Sequence, residues 1–168
     1  MPELALKKET GLKKETRSEE LLQLVVFQLG EEEFGLEIMQ VQEIIRIPEI
    51  TRIPHSPDYV KGVINLRGKI ITVINLDTRF GMEQKVHDDN SRIIVAEVDE
   101  NVVGMVVDSV SEVLRLPLST VEPVPEIIST KINANYLKGV GKLEDRMLIL
   151  LDITKVVMED APSKVAYC

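Results

Sequence analysis

Histidine, serine, aspartate and cysteine build most hydrolytic, nucleophilic and metal chemistry, and this 168-residue chain has only two histidines and one cysteine. His55, Ser56 and Asp58 lie in one short run and supply the residue types of a hydrolase triad. Neighbours in an extended, proline-flanked segment point different ways and do not converge on one carbonyl, so a plain proline loop is expected there. His87, Asp88, Asp89 and Asn90 could touch a cation, but the run lacks the alternate-residue ligand spacing of a calcium loop. A solvated linker is expected. Cys168 is the last residue and has no histidine beside it, which leaves no internal disulfide and no metal site. No glycine-rich phosphate loop follows a strand-like run. The expectation is a chain without catalysis, metal or nucleotide.

What must position the remaining polar residues is a repeated unit. Sliding residues 24–48 onto 93–117, an offset of 69, superposes Val26 on Val95, Gly35 on Gly104, Val41 on Val110, Glu43 on Glu112, Arg46 on Arg115 and Pro48 on Pro117. Residues 59–76 match 136–153 at an offset of 77, with Tyr59 on Tyr136, Lys61 on Lys138, Gly62 on Gly139 and Leu66 on Leu143. The second copy therefore carries eight extra residues between its halves. A duplication predicts one small fold built twice around a central seam. Each copy reads as five strands, at 24–29, 33–38, 43–47, 62–66 and 69–75, then at 93–98, 101–107, 112–116, 138–143 and 146–151. A short helix is expected after Asp77 and after Asp152. β-branched enrichment, short length and Gly/Asn/Asp punctuation carry these assignments. Runs such as Ile70–Ile74 and Met147–Leu151 are apolar on both faces, whereas a half-wet antiparallel sheet alternates. One face is expected to fill the lobe and the other to meet the partner lobe. The expected fold is mainly β: two small five-stranded barrels side by side, a form that removes sheet edges. The expected organisation is a mobile tail at 1–21, lobe one at about 22–80, a joining loop at 81–92, lobe two at about 93–158 and a tail at 159–168.

Positions at which the copies differ in charge cannot be explained by architecture alone. Arg67, at a hairpin tip between Leu66 and Gly68, aligns with Glu144. Gly68 is expected to supply a positive φ there. Glu43 and Glu112 are shared and could pair with the shared Arg46 and Arg115; Arg67 in turn could pair with Glu43 within the fold or with an acidic or carbonyl group of a partner. Met39, at a lobe edge, is read as core filler.

Composition limits the partners. The net charge of −8 and pI near 4.9 argue against nucleic acid, whose binding rests on Lys and Arg neutralising phosphates. Aromatics are 4% with no Trp, so base-stacking platforms are missing. A mean hydropathy of +0.04 fits a globular protein, and no apolar run approaches membrane-spanning length. A cytoplasmic location is the simplest expectation.

The runs VQEI at 41–44, TRIPHSPDYVKGVINLRGKI at 51–70, VVGMVVDSVSEVL at 102–114 and EDRMLIL at 144–150 together resemble the chemotaxis coupling proteins of the CheW family, over roughly residues 22–158. The resemblance implies two five-stranded, SH3-like barrels around a shared core, with short helices. It implies an adaptor without catalysis or cofactor, in the cytoplasm at the inner face of the membrane in receptor arrays. Its partners would be the cytoplasmic tip of methyl-accepting chemotaxis receptors and the regulatory domain of the histidine kinase CheA. Positions at or near the receptor contact, in the groove between barrels, would be Ile38, Val41, Glu43 and Arg67. Kinase contacts would lie at the lobe ends. One would use Ile50 and Thr51; the other would use the 121–127 loop with Glu122, Glu126 and Ile127. Relatives can carry a basic and an aromatic residue at the positions of Glu122 and Ile127. The same domain ends the kinase CheA and begins the coupling protein CheV, so a regulatory domain of that kind is an alternative. A small ligand-binding β-barrel is a more distant one. The residues outside the matched span leave no room for a kinase or receiver domain, which favours a standalone adaptor.

Overall fold

The computed structural model describes residues 20–129 and 132–158. Of the expected tail at 1–21, residues 1–19 lie outside the described residues, as does the tail at 159–168; β1 begins at Leu21, inside the expected tail. The strands are β1 (Leu21–Leu29), β2 (Glu32–Glu37), β3 (Val41–Arg46), β4 (Val60–Leu66), β5 (Lys69–Asn75), β6 (Arg92–Val98), β7 (Asn101–Val107), β8 (Ser109–Pro117), β9 (Val121–Glu122), β10 (Leu137–Lys142) and β11 (Met147–Leu151). Short helices at Leu76–Arg79 and Ile153–Met158 close the copies, as expected, and a further one at Glu126–Ser129 occupies the extra residues of copy two.

The strands form two sheets, in the orders β8-β1-β2-β11-β10-β9 and β3-β6-β7-β5-β4. The division into lobes 22–80 and 93–158 is therefore corrected. Each sheet takes its first hairpin from one copy and its remaining main strands from the other. The registers obey the repeat even so. Val26 faces Gly35 in β1–β2 and Val95 faces Gly104 in β6–β7; Gly35 then meets Leu150, and Gly104 meets Val73. Gly62 and Gly139 carry φ of 152° and 157° beside matching register shifts.

Double-sided burial follows from strand alternation. Leu24 and Val26 of β1 pack with Leu148 and Leu150 inside the first sheet. Ile71, Val73, Ile93 and Val95 do the same inside the second. The intervening residues, including Val25, Phe27, Ile74, Ile94, Ile149 and Leu151, form one central cluster shared by both sheets. Phe27, Phe34 and Phe80 stack through that cluster and Tyr136 lies tilted against Phe80, with centroid spacings of 5.6–5.7 Å. At the seam, buried Arg79 donates from Nε to the Val156 carbonyl at 3.0 Å, and its guanidinium lies over the symmetry-related rings of Tyr59 and Tyr136, at 4.2 and 5.1 Å.

Candidate functional site

The rim at copy one begins where the chain crosses from one sheet to the other. β2 ends at Glu37, the 3-10 turn Ile38–Gln40 turns the chain, and β3 starts in the other sheet. Ile38 and Val41 are half-buried against the central cluster. Met39 between them is 88% exposed, which corrects its reading as core filler. At the matching crossover, Asp108 replaces Met39. Its Oδ2 accepts from Gly30 N–H at 2.8 Å and lies 3.5 Å from Lys85 Nζ, so the interlobe linker is laced over that side. The seam is thus open at Met39 and strapped at Asp108.

A register shift between Val41 and Glu43 brings Glu43 next to the β4–β5 hairpin. Arg67 and Gly68 both have positive φ, 53° and 86°, the conformation of a two-residue hairpin turn whose hand matches strand twist. Asn65 Oδ1 accepts from Gly68 N–H at 2.9 Å and steadies the tip. From it Arg67 donates through both terminal nitrogens to the two Glu43 oxygens, the Nη2–Oε1 bond being 2.7 Å. The paired guanidinium fork is a geometry that Lys cannot copy. Its hydrogen bonds hold the Glu43 carboxyl below the usual carboxylate range, although some desolvation opposes this. Arg67 is 71% exposed in its side chain and Glu43 25%, so the pair is presented to solvent.

The pair also joins opposite edges of the second sheet, since β3 and β4 are its outer strands. Ile45 from β3 and Ile64 from β4 share one apolar cluster. The sheet is therefore curled, and side chains bring its edges together. Copy two has an equivalent that the sequence comparison missed. Arg146 Nη2 donates to Glu112 Oε2 at 2.5 Å, and Arg146 Nε lies 3.1 Å from Glu33. Glu43 and Glu112 thus bind Arg67 and Arg146, not Arg46 and Arg115. Arg146 aligns with Lys69 rather than with Arg67, so an alignment by position sees an opposed charge where the fold keeps a cation. The usable signal was a shared glutamate facing a hairpin that carries one arginine in each copy.

The lobe-end residues fall on two other edges. Thr51 bridges to Val63 of β4, and Glu122 pairs with Val140 of β10; these positions are equivalent in the repeat. Ile50 packs under the second sheet. Glu122 lies 3.5 Å from Lys142. Glu126 opens the extra helix, and Ile127 on it is 72% exposed. The fold thus sets Ile38 in the turn before β3, Val41 and Glu43 on β3 and Arg67 on the facing hairpin, and puts Ile50 and Thr51 beside one sheet, with Glu122 on the other and Glu126 and Ile127 on the short helix that follows it.

The histidine runs form turns. Asp88 Oδ1 accepts from Asn90 N–H at 2.8 Å, and Ser91 Oγ accepts from Asp88 N–H at 2.9 Å. Burial, then Lys61, pushes His87 below its ordinary value, against the nearby Asp77, Asp108 and Asp88. Among the described residues no group of three His, Cys, Asp or Glu side chains could hold a metal. No helix among them is long and apolar enough to cross a membrane.

Two curled sheets around a common core, with exposed rims bearing fixed charges and apolar side chains, define a β scaffold. Residues 23–161 match the family described as the CheW-like domain. The chain is 43% identical over 138 residues to the chemotaxis protein CheW of Klebsiella aerogenes, covering 82% of each. It is 32% identical over 147 residues to CheW of Helicobacter pylori, covering 88% of each. The crystal structure of the scaffolding protein TtCheW from Thermoanaerobacter tengcongensis superposes with a TM-score of 0.75 at 38% identity, over 82% of this chain and 88% of that one. The chain belongs to the CheW-like domain family, as a chemotaxis scaffold.

Proposed function

We propose that the protein is a non-catalytic adaptor that couples the cytoplasmic tip of chemotaxis receptors to the regulatory domain of CheA, at the inner face of the membrane. The observation that carries this reading is the separation of its surfaces. The open rim with Met39, Ile38 and Val41 ends in the exposed Glu43–Arg67 pair, a surface suited to a helical hairpin with an apolar face. The edges at Thr51 and Glu122 lie on different sheets, so contacts at the two lobe ends need not compete with each other. Two modest contacts held in one array reinforce each other through effective concentration.

The test is a pull-down with a receptor signalling tip and a CheA regulatory domain, separately and together. Both are expected to bind at once. Thr51→Asp should weaken kinase-domain binding about tenfold, in the range of a lost interface contact, with receptor-tip binding unchanged. Competition of saturating receptor tip with the kinase domain for one surface would contradict the reading.

A further inference from the structure

A duplicated fold offers each place at the seam twice, and one pair of places is unequally filled. Phe80 follows the helix Leu76–Arg79 and is 4% exposed. Its ring centroid lies 5.6 Å from that of Phe34 and 5.7 Å from that of Tyr136. The repeat makes Val103 the counterpart of Phe34, Tyr59 that of Tyr136 and Val157 that of Phe80. Two aromatic rings are thus replaced by valines, and a cavity of about 230 Å³ remains between Tyr59, Val103 and Val157. The exposed Thr72 and Asn101 line it as well; Ile149, the counterpart of Thr72, is almost fully buried. The seam is sealed by a ring at one place and open at the other.

Such a cavity is smaller than the roughly 300–1,000 Å³ of small-molecule sites, and it suits a single side chain. The repeat indicates which kind, since the matching place takes an aromatic ring. Phe27, Phe34, Phe80, Tyr59 and Tyr136 all pack in or against the central cluster. Tyr167 is the remaining aromatic residue of the chain, nine positions beyond Met158, where the last described helix ends. At up to about 3.3 Å per residue, that length reaches back to a cavity whose wall includes Val156 and Val157 of the same helix. A short tether holds the ring at an effective concentration on the order of millimolar, so a modest contact is enough. Tyrosine combines an apolar body with a polar tip, which matches valine walls bordered by Thr72 and Asn101.

We propose that this cavity receives the Tyr167 ring of the same chain, so that segment 159–168 completes at one place what Phe80 completes at the other. The contact would fasten the two sheets together, because Val103 lies on β7 of one and the helix carrying Val157 follows β11 of the other. It does not depend on the coupling reading.

The full chain is tested by valine-methyl and tyrosine-ring NMR as wild type, Tyr167→Ala and Val157→Phe. In the wild type the Tyr167 ring should show nuclear Overhauser contacts to the Val103 and Val157 methyls. Those methyls should lose their ring-current shifts in Tyr167→Ala. Val157→Phe copies Phe80; it should release the Tyr167 ring to free-tyrosine shifts and speed its nitration by tetranitromethane severalfold, read by mass spectrometry. If Val157→Phe fails to fold, the comparison of wild type with Tyr167→Ala still decides. Free-tyrosine shifts for Tyr167 in the wild type, with no contact to either valine, overturn the proposal. Contacts that vanish on tenfold dilution would place the ring in a second copy and overturn the assignment to the same chain. Methyl shifts that appear only on adding a receptor tip or a CheA regulatory domain, with Tyr167 unmoved, would give the cavity to that partner and overturn it equally.

Discussion

At the level of single residues, Arg67 shows how a side chain can serve the fold and still be available to a partner. Its ion pair has a counterpart at Arg146, so bringing an edge strand to a hairpin is part of the shared architecture. Its exposure makes it a weak support, because ion pairs in water stabilise little. Arg67→Glu places two carboxylates together at the tip; it should leave the melting temperature near that of the wild type and abolish the receptor–adaptor–kinase complex. Reconstituted kinase activation and thermal unfolding separate the outcomes: normal activation makes Arg67 a solvated tip charge, and an unfolded variant makes it structural. The pair predicts a pH effect as well. The folded Glu43 carboxyl is held down by Arg67, so its small stabilisation is present above the unfolded-state value and disappears as pH falls through the folded one. In Arg67→Gln the Glu43 midpoint, followed by carboxyl-carbon NMR, should rise toward that of a free glutamate. The glutamates were legible in the sequence as shared positions, but Arg146 was not.

At the level of elements, strand identity was legible because β-branched runs and punctuating glycines act locally. Every expected strand exists, with ends displaced by a few residues. β9 was missed, being only two residues long and set by pairing to β10 rather than by its own pattern. The glycines at the start of β4 and β10 are where element geometry reaches the lobe ends. A Cβ at Gly62 would lie 2.2 Å from the Thr51 carbonyl oxygen, and one at Gly139 would lie 2.6 Å from that of Glu122. Both obstacles are backbone, so nothing flexible can move aside. Gly62→Ala combines backbone strain with overpacking and should destabilise by about 2–4 kcal/mol. Displacing Thr51 should also weaken kinase-domain binding in whatever fraction stays folded. Denaturant unfolding measures the first effect. An unchanged midpoint would mean that the bridge between Thr51 and Val63 gives way without loss.

At the level of the whole molecule, the duplication gave the contents of the two lobes but not their ownership. β1–β2 and β6–β7 carry the same alternation, so either hairpin satisfies either set of remaining strands, and local pattern cannot distinguish a contiguous lobe from an exchanged one. The exchange makes the halves interdependent. Cutting the chain in the linker would take Phe27, Leu29, Phe34 and Leu36 away from the sheet that β8, β10 and β11 complete, and each is almost fully buried. At roughly 1.5–3 kcal/mol per buried side chain, these four alone approach the whole stability of a typical domain. Residues 1–80 and 81–168 expressed separately should therefore lack fixed tertiary structure, and mixing them should restore the native spectrum with a one-to-one stoichiometry. The intact chain should unfold in a single transition, with tyrosine fluorescence and far-UV circular dichroism coinciding. A separate half that gave a dispersed amide spectrum and a cooperative melt would show that its strands can close without the borrowed hairpin, and the exchange would then be a feature of assembly rather than a requirement of folding.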